Sequence, residues 1–283
     1  MERSRSKNGT GTTFVLTALP CTIKAGIPRR REGNHVEHIM AVCLQAGSIL
    51  LRSGAETSRV EETIARLARA AGVDRVDTFV TLTGIFICLE KDGTSLTRLT
   101  RVHQVGTDLQ RVTEVNHLSR QFVRGELSLS EIQERLTALE NRRPLYHPLL
   151  RAAAAFVSAG SYGFLMSGNW RVLLPSALGG VVAHLVSQWN TRGQGGNFLR
   201  VFLGAMIGSS AGVGAAFLDG GPGRVGQIVV GATIPLVPGV AVTTAIRDLL
   251  SGDLLSGMAR GTEALLTAVA IAMAVGLVLG VVL

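Results

Sequence analysis

Ile234–Asp248 reads IPLVPGVAVTTAIRD and carries most of the chain's candidate chemistry. Pro235, Pro238 and Gly239 interrupt an apolar run of about 22 residues, long enough to cross a bilayer. Two prolines three apart remove two backbone donors and clash with the turn before them, so a straight helix is not expected. Such a break persists in lipid only where the freed carbonyls are buried in protein or line a wet cavity. Transporters build binding sites from breaks of this kind. Past the break, Thr243 and Thr244 would stand on a short half-helix with hydroxyls open to a polar solute, and Arg247-Asp248 end the run. A translocation site at these seven residues and a kink followed by an interfacial anchor are the two readings.

Charge in hydrocarbon is costly, which draws attention to every ionisable group in an apolar segment. Asp248, Glu263 beyond the next short link and His184 in an earlier apolar run are candidates for carrying protons. For His184 the alternative is a helix-facing or interfacial histidine. A second polar cluster, SGAETSRVEE, spans Ser53 to Glu62. Gly54 permits a tight bend, Thr57 or Ser58 can cap a helix, and Glu56, Arg59, Glu61 and Glu62 crowd its start. One reading is an ordinary helix-turn-helix corner whose acids favour the positive helix terminus. The other is a polar site with Glu56 and Arg59 facing a ligand or the apolar half of the chain.

These groups sit in two very different surroundings. Of 48 Lys, Arg, Asp and Glu residues, 37 precede His147 and 11 follow it. The order is therefore a basic, disordered tail or misplaced start (1–35), a soluble domain (36–147) and a membrane domain (148–283). The net charge of +8 owes much to the tail, which holds Arg29-Arg30-Arg31 in Ser/Thr/Gly-rich sequence, so it is no sign of nucleic-acid binding. Cys21, Cys43 and Cys88 lack ligand spacing, and His35, His38, His103 and His117 form no metal set. No metal, no cofactor and no catalytic constellation is expected, so the chain reads as a non-enzyme.

In the soluble half, the continuous apolar run Ile39–Leu51 is too short to span a bilayer and suits a buried helix within Val36–Leu51. A second helix starts near Thr57 or Ser58, where Ser58 and Glu61 have capping-box spacing. Its stripe of Val60, Ile64, Leu67, Ala68 and Ala71 ends at Gly72. Strands follow at 76–83, 85–89 and 95–102, with Asp92-Gly93 as a hairpin turn. Thr107-x-x-Gln110 and Ser128-x-x-Glu131 mark two further helices. Five apolar segments then occupy about 149–167, 172–189, 198–218, 225–246 and 262–283. Gly204, Gly208 and Gly212 form a ladder that lets helices approach closely. Arg142, Arg143, Arg151, Arg192, Arg200, Arg247 and Arg260 would flank one membrane face, and Arg171 and Arg224 the other. By the positive-inside rule the N-terminal domain is cytoplasmic and the C-terminus outside. The expected fold is an α+β cytoplasmic domain followed by an all-α membrane domain of five transmembrane helices, the fourth broken at Pro235–Gly239.

From about Val36 to Leu283 the chain resembles the threonine/serine exporter family. The resemblance rests on SGAETSRVEE, TEVNHL (Thr113–Leu118), PLVPGVAVTTAIRD and SGDLLSGMARGTEA (Ser251–Ala264), of which LVPG-x₈-D is the most specific. It implies a bacterial inner-membrane secondary exporter, coupled to protons, for small hydroxy amino acids such as threonine and serine. It also implies a second, smaller multi-span unit, fused in some members and a separate partner subunit in others, one such pair being associated with succinate export. This chain resembles the first unit only, so a lipid bilayer, a small-molecule substrate, a partner subunit and an oligomer are the expected partners. Thr244 stands where the family often has Asn, and Arg247 where it often has an apolar or small residue. A hydrolase-like role suspected for the family's soluble domain would fall on Glu56 and Arg59, giving a membrane-anchored hydrolase or sensor as the alternative of another class.

Overall fold

The computed structural model describes residues 32–102, 106–142, 146–189, 196–218 and 224–282. Most of the tail, together with Cys21, His103, Arg143 and Arg192, lies outside the described residues. Helix α1 (Glu32–Arg52) begins earlier than Val36, within the stretch assigned to the tail. It is apolar around its circumference from Ile39 to Leu51, the mark of a helix buried on all sides. Ile39, Met40, Val42, Cys43, Ala46, Leu50 and Leu51 are indeed almost wholly buried. Burial pushes the Cys43 thiol up to about 12, so it stays protonated and unreactive.

Around α1 pack α2 (Thr57–Ala70), α3 (Leu109–Val123), α4 (Leu129–Asn141) and one face of a three-stranded antiparallel sheet. The strands β1 (Arg75–Thr81), β2 (Gly84–Lys91) and β3 (Thr94–Arg101) lie in sequence order, as two successive hairpins require. Asp92 and Gly93 both have positive φ, 50° and 75°, the conformation of a two-residue hairpin loop. Val80, Ile85, Ile87 and Leu89 face the core, while Phe79, Phe86 and Leu99 face outward. Ser128 and Glu131 close a full capping box on α4. The same spacing at Thr107 and Gln110 does not cap α3. Asp108 accepts from the Arg111 N–H instead, and Gln110 turns to Glu114.

The apolar half holds α5 (Pro148–Ser167), α6 (Trp170–Ser187), α7 (Gly196–Leu218) and α10 (Leu254–Val282), each long and apolar enough to cross a membrane. The bent pair α8 (Val225–Thr233) and α9 (Gly239–Leu250), joined through a 3₁₀ turn at Ile234–Leu236, is together long and apolar enough to count as a fifth span if it crosses as one. Their axes differ by 59°. Helix α10 begins well before 262 and has 29 residues, so its first turns are not needed to cross the bilayer. Instead they pack beside α9. The glycine ladder of α7 does lie against backbone: a Cβ at Gly208 would come within 2.7 Å of the Gly179 carbonyl oxygen, and at Gly204 within 2.9 Å of that of Ala183.

Candidate functional site

The break follows from two local rules. Pro235 ends the α-helical ladder in a 3₁₀ turn, and Val237, which precedes Pro238, is forced into an extended conformation (φ −63°, ψ 127°). Gly239 then starts α9 in its new direction. A cavity of about 390 Å³ opens beside this break. One wall is the segment from Pro235 to Ala241. The second is a single face of α10, where Arg260, Glu263, Ala264 and Thr267 are spaced three and four apart. Ser187, Asn197 and Val201, at the near ends of α6 and α7, add a third. The α+β unit closes it with Gly54, Leu82, Gly106 and Thr107.

Next to the cavity lies a buried ionic cluster. Asp248 is fully buried, and Arg260 is 5 % exposed. Asp248 Oδ1 accepts from the backbone N–H of Thr57 at 3.1 Å and lies 3.2 Å from the Thr57 hydroxyl. That hydroxyl is also 2.9 Å from Asp253 Oδ2. A hydroxyl has one proton, so it serves one carboxylate at a time unless one of the two is itself protonated. Arg260 donates through Nη2 to the Ala55 carbonyl at 3.2 Å, and its Nε stands 3.3 Å from Asp248 Oδ2. The latter contact is an ion pair by distance but is not aligned as a hydrogen bond, and both atoms are otherwise unpartnered.

This cluster changes the reading of SGAETSRVEE. Ser58 and Glu61 do not form the expected capping box, because the first residue of α2 is Thr57 and its N-cap, Glu56, makes no side-chain cap. A carboxylate from 191 residues away, Asp248, takes the capping role. Glu56 accepts from Arg247 at 2.7 Å in a pair whose arginine is largely exposed and therefore screened by solvent. Arg59 is exposed and stands apart from that pair. Glu61 accepts from the Val80 N–H at 2.8 Å.

Burial raises the Glu61 carboxyl above its usual range, with the Val80 hydrogen bond opposing and the charge of Asp253 adding to the rise. A raised carboxylate favours folding at low pH and costs stability as pH climbs through the ordinary carboxylate range and beyond. Glu61→Gln is therefore expected to raise the melting temperature at pH 7 and to leave it nearly unchanged near pH 4. Thermal unfolding at the two pH values checks this, and equal shifts at both would contradict it.

Of the residues singled out in the sequence, Pro235, Pro238, Gly239, Glu263 and Gly54 line the cavity. Asp248, Thr57, Glu56 and Arg247 meet in the adjoining cluster. Thr243 spends its hydroxyl on the carbonyls of Gly239 and Val240, and Thr244 is buried, so neither hydroxyl lines the cavity. His184 pairs with Gln188 on its own helix and lies off the cavity wall. Arg260 and Thr267 are the additions. From the sequence Arg260 reads as a flanking charge; its spacing of three and seven residues from Glu263 and Thr267 is the signal that places it on their face.

Membrane-capable helices with a bent helix pair beside a cavity are the arrangement in which multi-span transporters build their binding sites. A family model described as "Putative threonine/serine exporter" matches residues 41–282, and the chain belongs to that family. It is 27% identical over 228 residues to "Probable succinate transporter subunit YjjP" of Escherichia coli strain K12, covering 78% of this chain and 86% of the relative. The protein of the same name from Klebsiella aerogenes is 25% identical, with 78% and 85% covered. "Probable threonine/serine exporter" of Mycobacterium tuberculosis is 26% identical over 82% of this chain but only 44% of its own length. No solved structure matches the chain.

Proposed function

We propose that the chain is the first unit of a two-component secondary exporter of the bacterial inner membrane, with residues 36–147 forming a cytoplasmic domain and 148–283 the five-span domain. The substrate class is a small hydroxy amino acid such as serine or threonine. The observation that carries this is the pair of opposite charges on the cavity wall, Arg260 and Glu263. A zwitterion presents a carboxylate and an ammonium, and opposed charges three residues apart on one helix face suit both. The carbonyls freed at the Pro235–Gly239 break supply the neutral hydrogen bonds, and the Thr267 hydroxyl, whose proton goes to the Glu263 carbonyl, can only accept. In this reading Glu263 and Asp248, rather than His184, carry the coupling protons. The match covers 44% of the mycobacterial exporter, whose remaining length supports a second unit working beside the one matched here.

A second reading, export of a small dicarboxylate such as succinate, is favoured by the relatives of matching length. Against it, a second carboxylate would meet Glu263 and an Arg260 already half-neutralised by Asp248. Counterflow of labelled serine, threonine and succinate in vesicles that also carry the second unit separates the two. Serine or threonine flux that falls in Glu263→Gln is the expected result, succinate flux alone would favour the second reading, and none above empty vesicles would overturn both.

A further inference from the structure

The α+β unit touches the membrane helices over a narrow, polar joint. None of its helices or strands packs along a membrane helix to a comparable extent as its own neighbours do. Among the described residues, every side-chain hydrogen bond that crosses between the two halves involves Ala55, Glu56 or Thr57 on one side. On the other side they meet Arg247, Asp248, Asp253 and Arg260. Small polar interfaces of this kind permit relative motion of the parts they join.

The same corner is tied to the cavity wall. The Gly106 N–H donates to the Arg52 carbonyl at 2.7 Å, and the Asp108 N–H to that of Ser53 at 3.0 Å. These bonds bind the β3–α3 connection to the α1–α2 corner. Gly54, with φ +83°, leaves no room for a side chain, since a Cβ there would lie 2.7 Å from the Gly106 oxygen. Gly54, Gly106 and Thr107 of the cavity wall therefore move with Ala55–Thr57 as one piece.

We infer that the α+β unit is a gate over the cavity, held shut by the capping of α2 on Asp248 and of Arg260 on Ala55. Undocking the corner uncovers the cavity and breaks both contacts together. It also frees Arg260 Nη2, so a substrate carboxylate arriving at this guanidinium takes the place of the Ala55 carbonyl and favours the open arrangement. The last step rests on the reading of the cavity as the substrate site; the gate itself does not.

The test is maleimide labelling of Thr267→Cys, a buried cavity position. It is done with the full chain in inside-out membrane vesicles, with Cys21, Cys43 and Cys88 replaced. Charge-assisted hydrogen bonds shift an opening equilibrium by about tenfold or more each. Labelling is expected to be slow in the parent and about tenfold faster in Asp248→Asn. Thr57→Val is nearly isosteric, so it removes the hydroxyl contact without burying an unpaired charge. It should show a smaller rise of the same sign. Equal labelling in Thr57→Val and the parent overturns the gate. Because labelling needs no transport, absence of flux for all solutes with this labelling pattern intact would reject the substrate reading alone.

Discussion

Arg260→Met is expected to destabilise the chain by about 3–5 kcal/mol, because it leaves Asp248 buried without its counter-charge. At this size that lowers the melting temperature by roughly 10 °C. The attraction of the pair is not itself the source of that figure. Two desolvated charges cost several kcal/mol each, and the pairing returns about as much. Removing one partner exposes the whole penalty of the other. It follows that Asp248→Asn added to Arg260→Met should recover a large part of the loss, since an amide still accepts from the Thr57 N–H through its carbonyl oxygen. Thermal unfolding in detergent measures both. A single variant that melts with the parent, or a double variant no better than the single, would contradict the buried pair.

Gly208→Ala should also be costly, for a steric reason. The new Cβ would stand 2.5 Å from the Cβ of Ala183, 2.7 Å from the Gly179 oxygen and 2.8 Å from the Ala183 Cα. None of these atoms can rotate away, so α6 and α7 must part. Overpacking of this kind costs about 1–3 kcal/mol and sometimes more. Gly276→Ala on α10 is the control, because nothing lies within 4 Å of its Cβ. There the substitution should be neutral or slightly stabilising, as alanine is the better helix former. Comparable melting temperatures for the two variants would show that α6 and α7 do not touch through Gly208.

What the sequence reveals divides along the range of the interactions. The break is legible because proline acts on its own backbone: Pro235 and Pro238 lose donors and constrain their neighbours wherever they stand. The Asp92-Gly93 hairpin and the Ser128–Glu131 cap are legible for the same reason. Both are contests settled within four residues. The Ser58–Glu61 cap fails because α2 already starts at Thr57, whose N–H is taken by Asp248 from 191 positions away, and no spacing rule reaches that far. Thr107 fails more narrowly, to the carboxylate beside it. Thr243 and Thr244 look available on a half-helix, yet the hydroxyl of a helical threonine bonds readily to the preceding turn, as that of Thr243 does. Arg260 is hidden for a different reason. At the margin of an apolar span, a charge facing water and one buried against a partner look alike until the partner, Asp248, is placed.

The position that tests the substrate cavity most directly is Gly239, which lines it, is exposed, and has nothing within 4 Å of a Cβ. Gly239→Cys, in a chain without other cysteines, can therefore be labelled with maleimide in membranes that also carry the second unit. Serine or threonine at saturating concentration is expected to slow this labelling several-fold while leaving Thr243→Cys, off the cavity wall, unchanged. Labelling of Gly239→Cys that no amino acid or dicarboxylate alters would contradict a substrate site at the break.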